Sequence, residues 1–175
     1  MTCSQPKVSV CIPSYQGEAY IGAAIQSVLA QTYGDLELIV VDDDSRDATG
    51  QVVASCTDAR LSWVSNVRNL GPEANWNRCL KLARGTYCTL LPQDDLLHPR
   101  CLERQVAILD SDPQQRLALV FSARQLLGPD GRRGYPGRRN GPSTAPAMLG
   151  LYVDVSTAEG VEQELLAGHG VVVAI

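Results

Sequence analysis

Two apolar runs in this chain end in aspartates. Leu-Glu-Leu-Ile-Val-Val at 36–41 leads straight into Asp42, Asp43 and Asp44, and Tyr-Cys-Thr-Leu-Leu-Pro-Gln at 87–93 leads into Asp94 and Asp95. Short apolar runs of this kind read as strands of a parallel sheet buried on both faces. In open α/β sheets ligands collect at the carboxyl ends of the strands, so the two acidic clusters, with helical segments between them, point to one polar crevice. Like charges converging there repel unless something positive or proton-donating lies between them. A divalent metal with a phosphate ligand, or a base and ribose offering donors, meets that need.

The rest of the chain alternates in the same way. A first strand at 8–12 (VSVCI) ends at Pro-Ser-Tyr-Gln-Gly, 13–17. Ile21, Ala24, Ile25, Val28 and Leu29 then recur at the spacing of an amphipathic helix that stops near Tyr33 and Gly34. Past the first acidic cluster, Ser45 is placed to cap a helix running through Val52, Val53 and Cys56. A third strand is expected at 61–64. Pro72 suits the first position of a helix that buries Trp76, Cys79, Leu80 and Ala83 and closes at Gly85. His98 and Pro99 open a helix with inner face Leu102, Val106 and Leu109, and 117–121 (LALVF) reads as a fifth strand. The fold class is therefore α/β, a mostly parallel sheet with helices on both faces.

The 175 residues read as a single domain, 1–175, with 45% hydrophobic and 19% charged residues, an ordinary globular composition. A formal net charge of -4 gives no broad electrostatic reason to expect nucleic acid. No long apolar stretch offers a signal peptide or membrane span, so a cytoplasmic protein is expected. The six cysteines form no C-x-x-C pair and fall mostly at core positions, which favours free thiols over disulfides or zinc.

After Leu127 the pattern changes. The stretch 128–147 is rich in glycine and proline, carries Arg132, Arg133, Arg138 and Arg139, and is expected to be a flexible, solvated loop. The alternative is a lid whose guanidinium groups close over a diphosphate. A short helix at 157–167 and a strand at 171–175 would follow.

Four pieces, VSVCIPSYQGE, LIVVDDDSRDAT, NLGPEANWNRCLKLARGTY and LLPQDDLLHP, occur in the order and spacing of the family 2 glycosyltransferases, and the chain from about Val8 to Phe121 resembles that family. The resemblance implies the GT-A fold, a Rossmann-like sheet that binds a nucleotide-diphosphate sugar. It places Pro13, Tyr15 and Glu18, together with Asp42 and Asp43, around the base and ribose, where a carboxylate accepts a ring N–H and an aromatic ring packs on the base. Gly71 and Asn75 fall where the family's segment approaches the donor. Asp94 and Asp95 fall on the family's metal-binding D-x-D stretch, with Pro92 in place of its first acid. By analogy with members that use a bare pair of aspartates, Asp95 is the direct Mn²⁺ or Mg²⁺ ligand and Asp94 lies near the ribose or a metal-bound water.

The implied activity is sugar transfer to an acceptor hydroxyl, metal-dependent and with inversion at the anomeric carbon. No residue matches the family's catalytic base, so a non-catalytic or partner-dependent nucleotide-sugar binding module is the alternative. His169, between two glycines, reads as a loop residue. A phosphoacceptor receiver domain would need a lysine late in the sheet, and the only lysines are Lys7 and Lys81. A nucleotidyltransferase would need a basic first loop, which 13–17 is not.

Overall fold

A computed structural model of the chain describes residues 5–114, 117–120, 122 and 171–174. Its frame is a parallel sheet of β1 (Val8–Ser14), β2 (Leu36–Asp42), β3 (Leu61–Ser65), β4 (Tyr87–Leu90) and β5 (Val171–Ala174), in the order β3-β2-β1-β4-β5. The helices are α1 (Ile21–Leu29), α2 (Thr49–Ala54), α3 (Pro72–Leu82) and α4 (Cys101–Asp110). Every residue of β1 and β2 is buried, which is why these strands are nearly continuous apolar runs.

The two-residue period of the strands divides the core. Val8, Val10 and Ile12 share one face with Leu36, Leu38 and Val40, covered by Ile21 and Ile25 of α1, Val53 of α2, and Leu102 and Val106 of α4. Cys11, Ile39, Val41 and Cys88 face the other side, where Cys79 of α3 and the following Ala83 pack. Each fully buried branched aliphatic side chain contributes about 1.5–3 kcal/mol, so the larger cluster carries most of the stability. The buried thiols act as small hydrophobes: the Cys11 sulfur lies 4.0 Å from that of Cys88. Contact with Cys79 raises the Cys11 thiol well above its ordinary value, and contact with Cys11 raises that of Cys88, so both stay protonated.

The chain runs from β1 to β2 and β3 on one side, then crosses to place β4 on the other side of β1. The carboxyl ends of β1 and β4 therefore flank the switch point, where a crevice opens in sheets of this type.

Several local readings are corrected. β1 continues through Pro13 to Ser14, in register with Val41 and Asp42. β4 ends at Leu90 because Leu91 makes one more bond, to the Cys11 carbonyl at 2.8 Å, before Pro92, which has no N–H. Ser45 does not cap α2. Its N–H turns back to the Asp42 carboxylate at 3.1 Å, and Asp47 instead accepts the Thr49 N–H at 3.0 Å. Residues 117–120 lie outside the sheet, with Leu117 and Leu119 exposed, and the place beside β4 belongs to Val171–Ala174, three of whose four residues are β-branched valines. Phe121, the loop at 128–147 and the helix expected at 157–167 lie outside the described residues.

Candidate functional site

The loop after β1 is held from both sides. On the β2 side, the N–H groups of Gln16, Gly17 and Glu18 donate to Ser45 Oγ at 2.9 Å, Thr49 Oγ1 at 2.8 Å and Asp47 Oδ2 at 3.2 Å. The Glu18 carboxylate returns the contact by accepting the Ala48 N–H at 2.7 Å. On the β4 side, Gln93 Oε1 accepts the Ser14 hydroxyl at 2.7 Å and the Tyr15 N–H at 3.0 Å, and its Nε2 donates to the Tyr15 carbonyl at 3.0 Å. The consecutive N–H groups of residues 15–18 are thus paired within the protein. This loop is not an anion-binding nest of the phosphate-loop kind.

Asp43, only 2% exposed, organises the opposite wall. Its carboxylate accepts from Asn66 Nδ2 at 2.5 Å and from the N–H groups of Leu70 and Gly71 at 2.8 and 2.9 Å. Asn66 Nδ2 also donates to Asn75 Oδ1 at 3.0 Å, Asn75 Nδ2 to the Val41 carbonyl at 3.0 Å, and Arg78 to Asn66 Oδ1. Gly71 has φ +85°, a conformation that a side chain would strain, and the following Pro72 begins α3. Asp43 thus supplies the negative charge that the amino terminus of α3 favours.

Between these walls lies a cavity of about 370 Å³. Pro13, Tyr15, Asp43, Gly71, Asn75 and Asp94, all singled out in the sequence, line it. Glu18, Asp42 and Asp95 are not among its lining residues. Asp42 is buried and accepts Ser45 and Ser65, and half-buried Asp95 donates its N–H to the Pro92 carbonyl at 3.0 Å. Sequence reasoning missed Ser14, Asn69, Trp76 and Gln93 as lining residues. Trp76, expected in the core, is half-buried, in the second turn of α3 next to Asn75. Its neighbourhood to Asn75 and the helix start was the available signal. Gln93 was read only as the end of the run that leads into Asp94.

The fit to a metal follows from the donor set. Among the described residues no group of three or more histidine, cysteine or carboxylate side chains could hold a metal ion. Pro92 has no donor to give, and Gln93 Oε1 is occupied by Ser14 and Tyr15. Of the two carboxylates on the cavity, Asp43 is taken up by the wall, so a hard cation here would have Asp94, with Asp95 next in the chain, and would take its remaining ligands from a diphosphate and water.

A parallel sheet with a cleft at its switch point, walled by the loops after its first four strands and the start of α3, is the arrangement of the GT-A fold. Solved structures of that kind match it. Staphylococcus aureus TarS 1–349 in complex with UDP-GlcNAc has a TM-score of 0.63 at 29% identity, over 74% of this chain and 37% of that one. The mannosyltransferase PcManGT of Pyrobaculum calidifontis, in complex with GDP-Man and Mn²⁺, has a TM-score of 0.60 at 26% identity, over 70% and 37%. The profile of glycosyl transferase family 2 matches residues 9–143, and the chain belongs to that family. Among curated relatives, it is 39% identical over 102 residues to the UDP-Glc:alpha-D-GlcNAc-diphosphoundecaprenol beta-1,3-glucosyltransferase WfgD of Escherichia coli, covering 58% of this chain and 40% of that protein. The putative glycosyltransferase EpsE of Bacillus subtilis is 39% identical over 110 residues, covering 61% and 40%. The chain therefore spans about two fifths of the length of these relatives. No helix among the described residues is long and apolar enough to cross a membrane.

Proposed function

We propose that this chain is a single domain that binds a nucleoside-diphosphate sugar at the cleft between β1, β2 and β4, and forms the donor side of a cytoplasmic glycosyltransferase. The reaction in this reading moves the sugar to an acceptor hydroxyl with inversion. The observation that carries it is the charge of the cavity: among the described residues its lining includes Asp43 and Asp94 and no lysine or arginine. A diphosphate placed in such surroundings needs a counter-charge, because two like charges about 4 Å apart at an effective dielectric near 20 repel by about 4 kcal/mol.

Mn²⁺ or Mg²⁺, held by Asp94 with Asp95 alongside, would supply that counter-charge and stabilise the leaving diphosphate. The protein groups position the rest. Tyr15, 46% exposed, and Trp76 offer ring faces to the base or sugar. Asp43 has two oxygens that already accept three donors, so it fixes the wall and has room for at most one further N–H from a base.

The test is calorimetric titration of the purified chain with UDP and GDP, with and without Mn²⁺. Assays of nucleoside diphosphate release from UDP-glucose, UDP-GlcNAc and GDP-mannose would accompany it. Metal-enhanced binding of one diphosphate is expected. Binding with no turnover would make the chain a binding module, and no binding of either diphosphate in any condition would end the donor reading.

A further inference from the structure

Gln93 reaches from the acidic loop after β4 into the backbone of the loop after β1. Its amide meets the Tyr15 backbone on both sides: Oε1 accepts the Tyr15 N–H at 3.0 Å and Nε2 donates to the Tyr15 carbonyl at 3.0 Å. This is the pairing a neighbouring strand would offer, made by a side chain where the strands have diverged. A third bond, from the buried Ser14 hydroxyl at 2.7 Å, fixes the amide orientation, since only the oxygen end can accept two donors.

A separate observation leads to the same contact. A Cβ built on Gly17 would lie 2.1 Å from Gln93 Oε1 and 2.7 Å from its Cδ. Gly17 is therefore the seat of the Gln93 amide. The next residue after Gln93 is Asp94, on the cavity, and Tyr15 lies on the cavity across from it in the chain.

We propose that Gln93 is a positioning residue that locks the Tyr15 loop to the Asp94 loop, so that the base end and the diphosphate end of the pocket keep one spacing. This rests on the donor-pocket reading above and adds to it which residue couples the two ends. A ligand touching both loops gains from the lock, because neither loop has to be ordered on binding. A ligand touching only the Tyr15 side gains little.

The experiment compares UDP in the presence of Mn²⁺ with uridine alone, or GDP with guanosine if the wild-type chain prefers guanine. Gln93→Ala is expected to weaken the metal-loaded diphosphate about tenfold, as the loss of two or three hydrogen bonds would, and the nucleoside no more than about threefold. Gln93→Met keeps the volume against Gly17 while removing all three bonds, and it should show the same selective loss even if the alanine variant fails to fold. Gly17→Ala, which changes no cavity-lining residue, should reproduce the pattern by displacing the amide. Combined with Gln93→Met it should add nothing further, as expected for two changes to one contact. Equal losses for diphosphate and nucleoside, additive losses in the double variant, or wild-type affinity in Gln93→Met would each overturn the lock. Failure of the wild-type chain to bind any nucleoside diphosphate would instead remove the donor reading itself.

Discussion

The two edges of the sheet satisfy their most buried carboxylates differently. At the amino-terminal edge the buried Glu37 and the exposed Asp110 each have a cation. Glu37 pairs with Arg84 at 2.6 Å and also accepts the Ser9 hydroxyl, and Asp110 pairs with Lys7 at 2.7 Å while accepting the Tyr87 hydroxyl. At the carboxyl-terminal edge Asp42 and Asp43 are met by hydroxyls, an amide and backbone N–H groups, and Asp94 faces a cavity with no lysine or arginine among its described lining. Both solutions satisfy the oxygens. At the second edge Arg46 pairs with Asp44 at 2.7 Å, but Asp42, Asp43 and Asp94 have no such ion pair among the described residues, so negative charge is left at the switch point that a ligand-borne cation can use.

The strongest way to break this comparison is at Asp43. Asp43→Ala removes an acceptor shared by Asn66, Leu70 and Gly71; Asn66 and Gly71 keep Asn75 and Asn69, but the Leu70 N–H is stranded, so the cost should be about 2–3 kcal/mol, since a stranded donor costs roughly 1–3 kcal/mol. Urea denaturation measures it. A loss below about 1 kcal/mol would mean that the β3–α3 loop does not depend on this carboxylate.

Asp94 should behave in the reverse sense. Asp94→Asn is expected to leave the melting temperature unchanged and to reduce Mn²⁺-dependent UDP affinity by on the order of 10- to 100-fold, the scale of perturbing a metal site. Asp95→Asn in parallel decides between the two aspartates. Family resemblance alone favoured Asp95, whereas the cavity includes Asp94. A larger loss from Asp95→Asn would reverse that order.

What the sequence made legible was whatever depends on period and placement. Strands buried on both faces are continuous apolar runs, α1 carries its stripe at Ile21, Ala24, Ile25 and Val28, and both acid clusters follow strands, so fold and cleft could be read directly. Partnerships were less legible. Ser45 is a good capping residue, but Asp42 draws it away, and Asp47 takes the Thr49 N–H from the residue before the cap position at Ala48. An apolar run at 117–120 cannot be told from one at 171–174 until the single open edge of β4 is assigned. Gln93 makes three bonds to residues 78 or 79 positions earlier, and no local pattern announces a contact of that separation.

The smallest expected effect tests the amino-terminal edge. Burial alone would raise the Glu37 carboxyl, but the Ser9 hydroxyl, the Arg84 guanidinium and the Arg84 N–H all favour the anion and together hold it below its ordinary 4.5. The native state therefore binds this proton less readily than the unfolded chain. The pair's contribution is complete above the ordinary value and drains away as pH falls through the lower native value. Glu37→Gln should cost only about 1 kcal/mol at pH 7, because the Arg84 side chain is 65% exposed and solvent screens the pair. The difference from wild type should shrink steadily below about pH 4.5 in acid-denaturation curves. UDP affinity at neutral pH should not change, since Glu37 and Asp43 lie six residues apart along an extended chain, about 20 Å. Weakened UDP binding in this variant would show that the two edges are coupled through β2, and that the charge-neutral edge does more than hold the sheet.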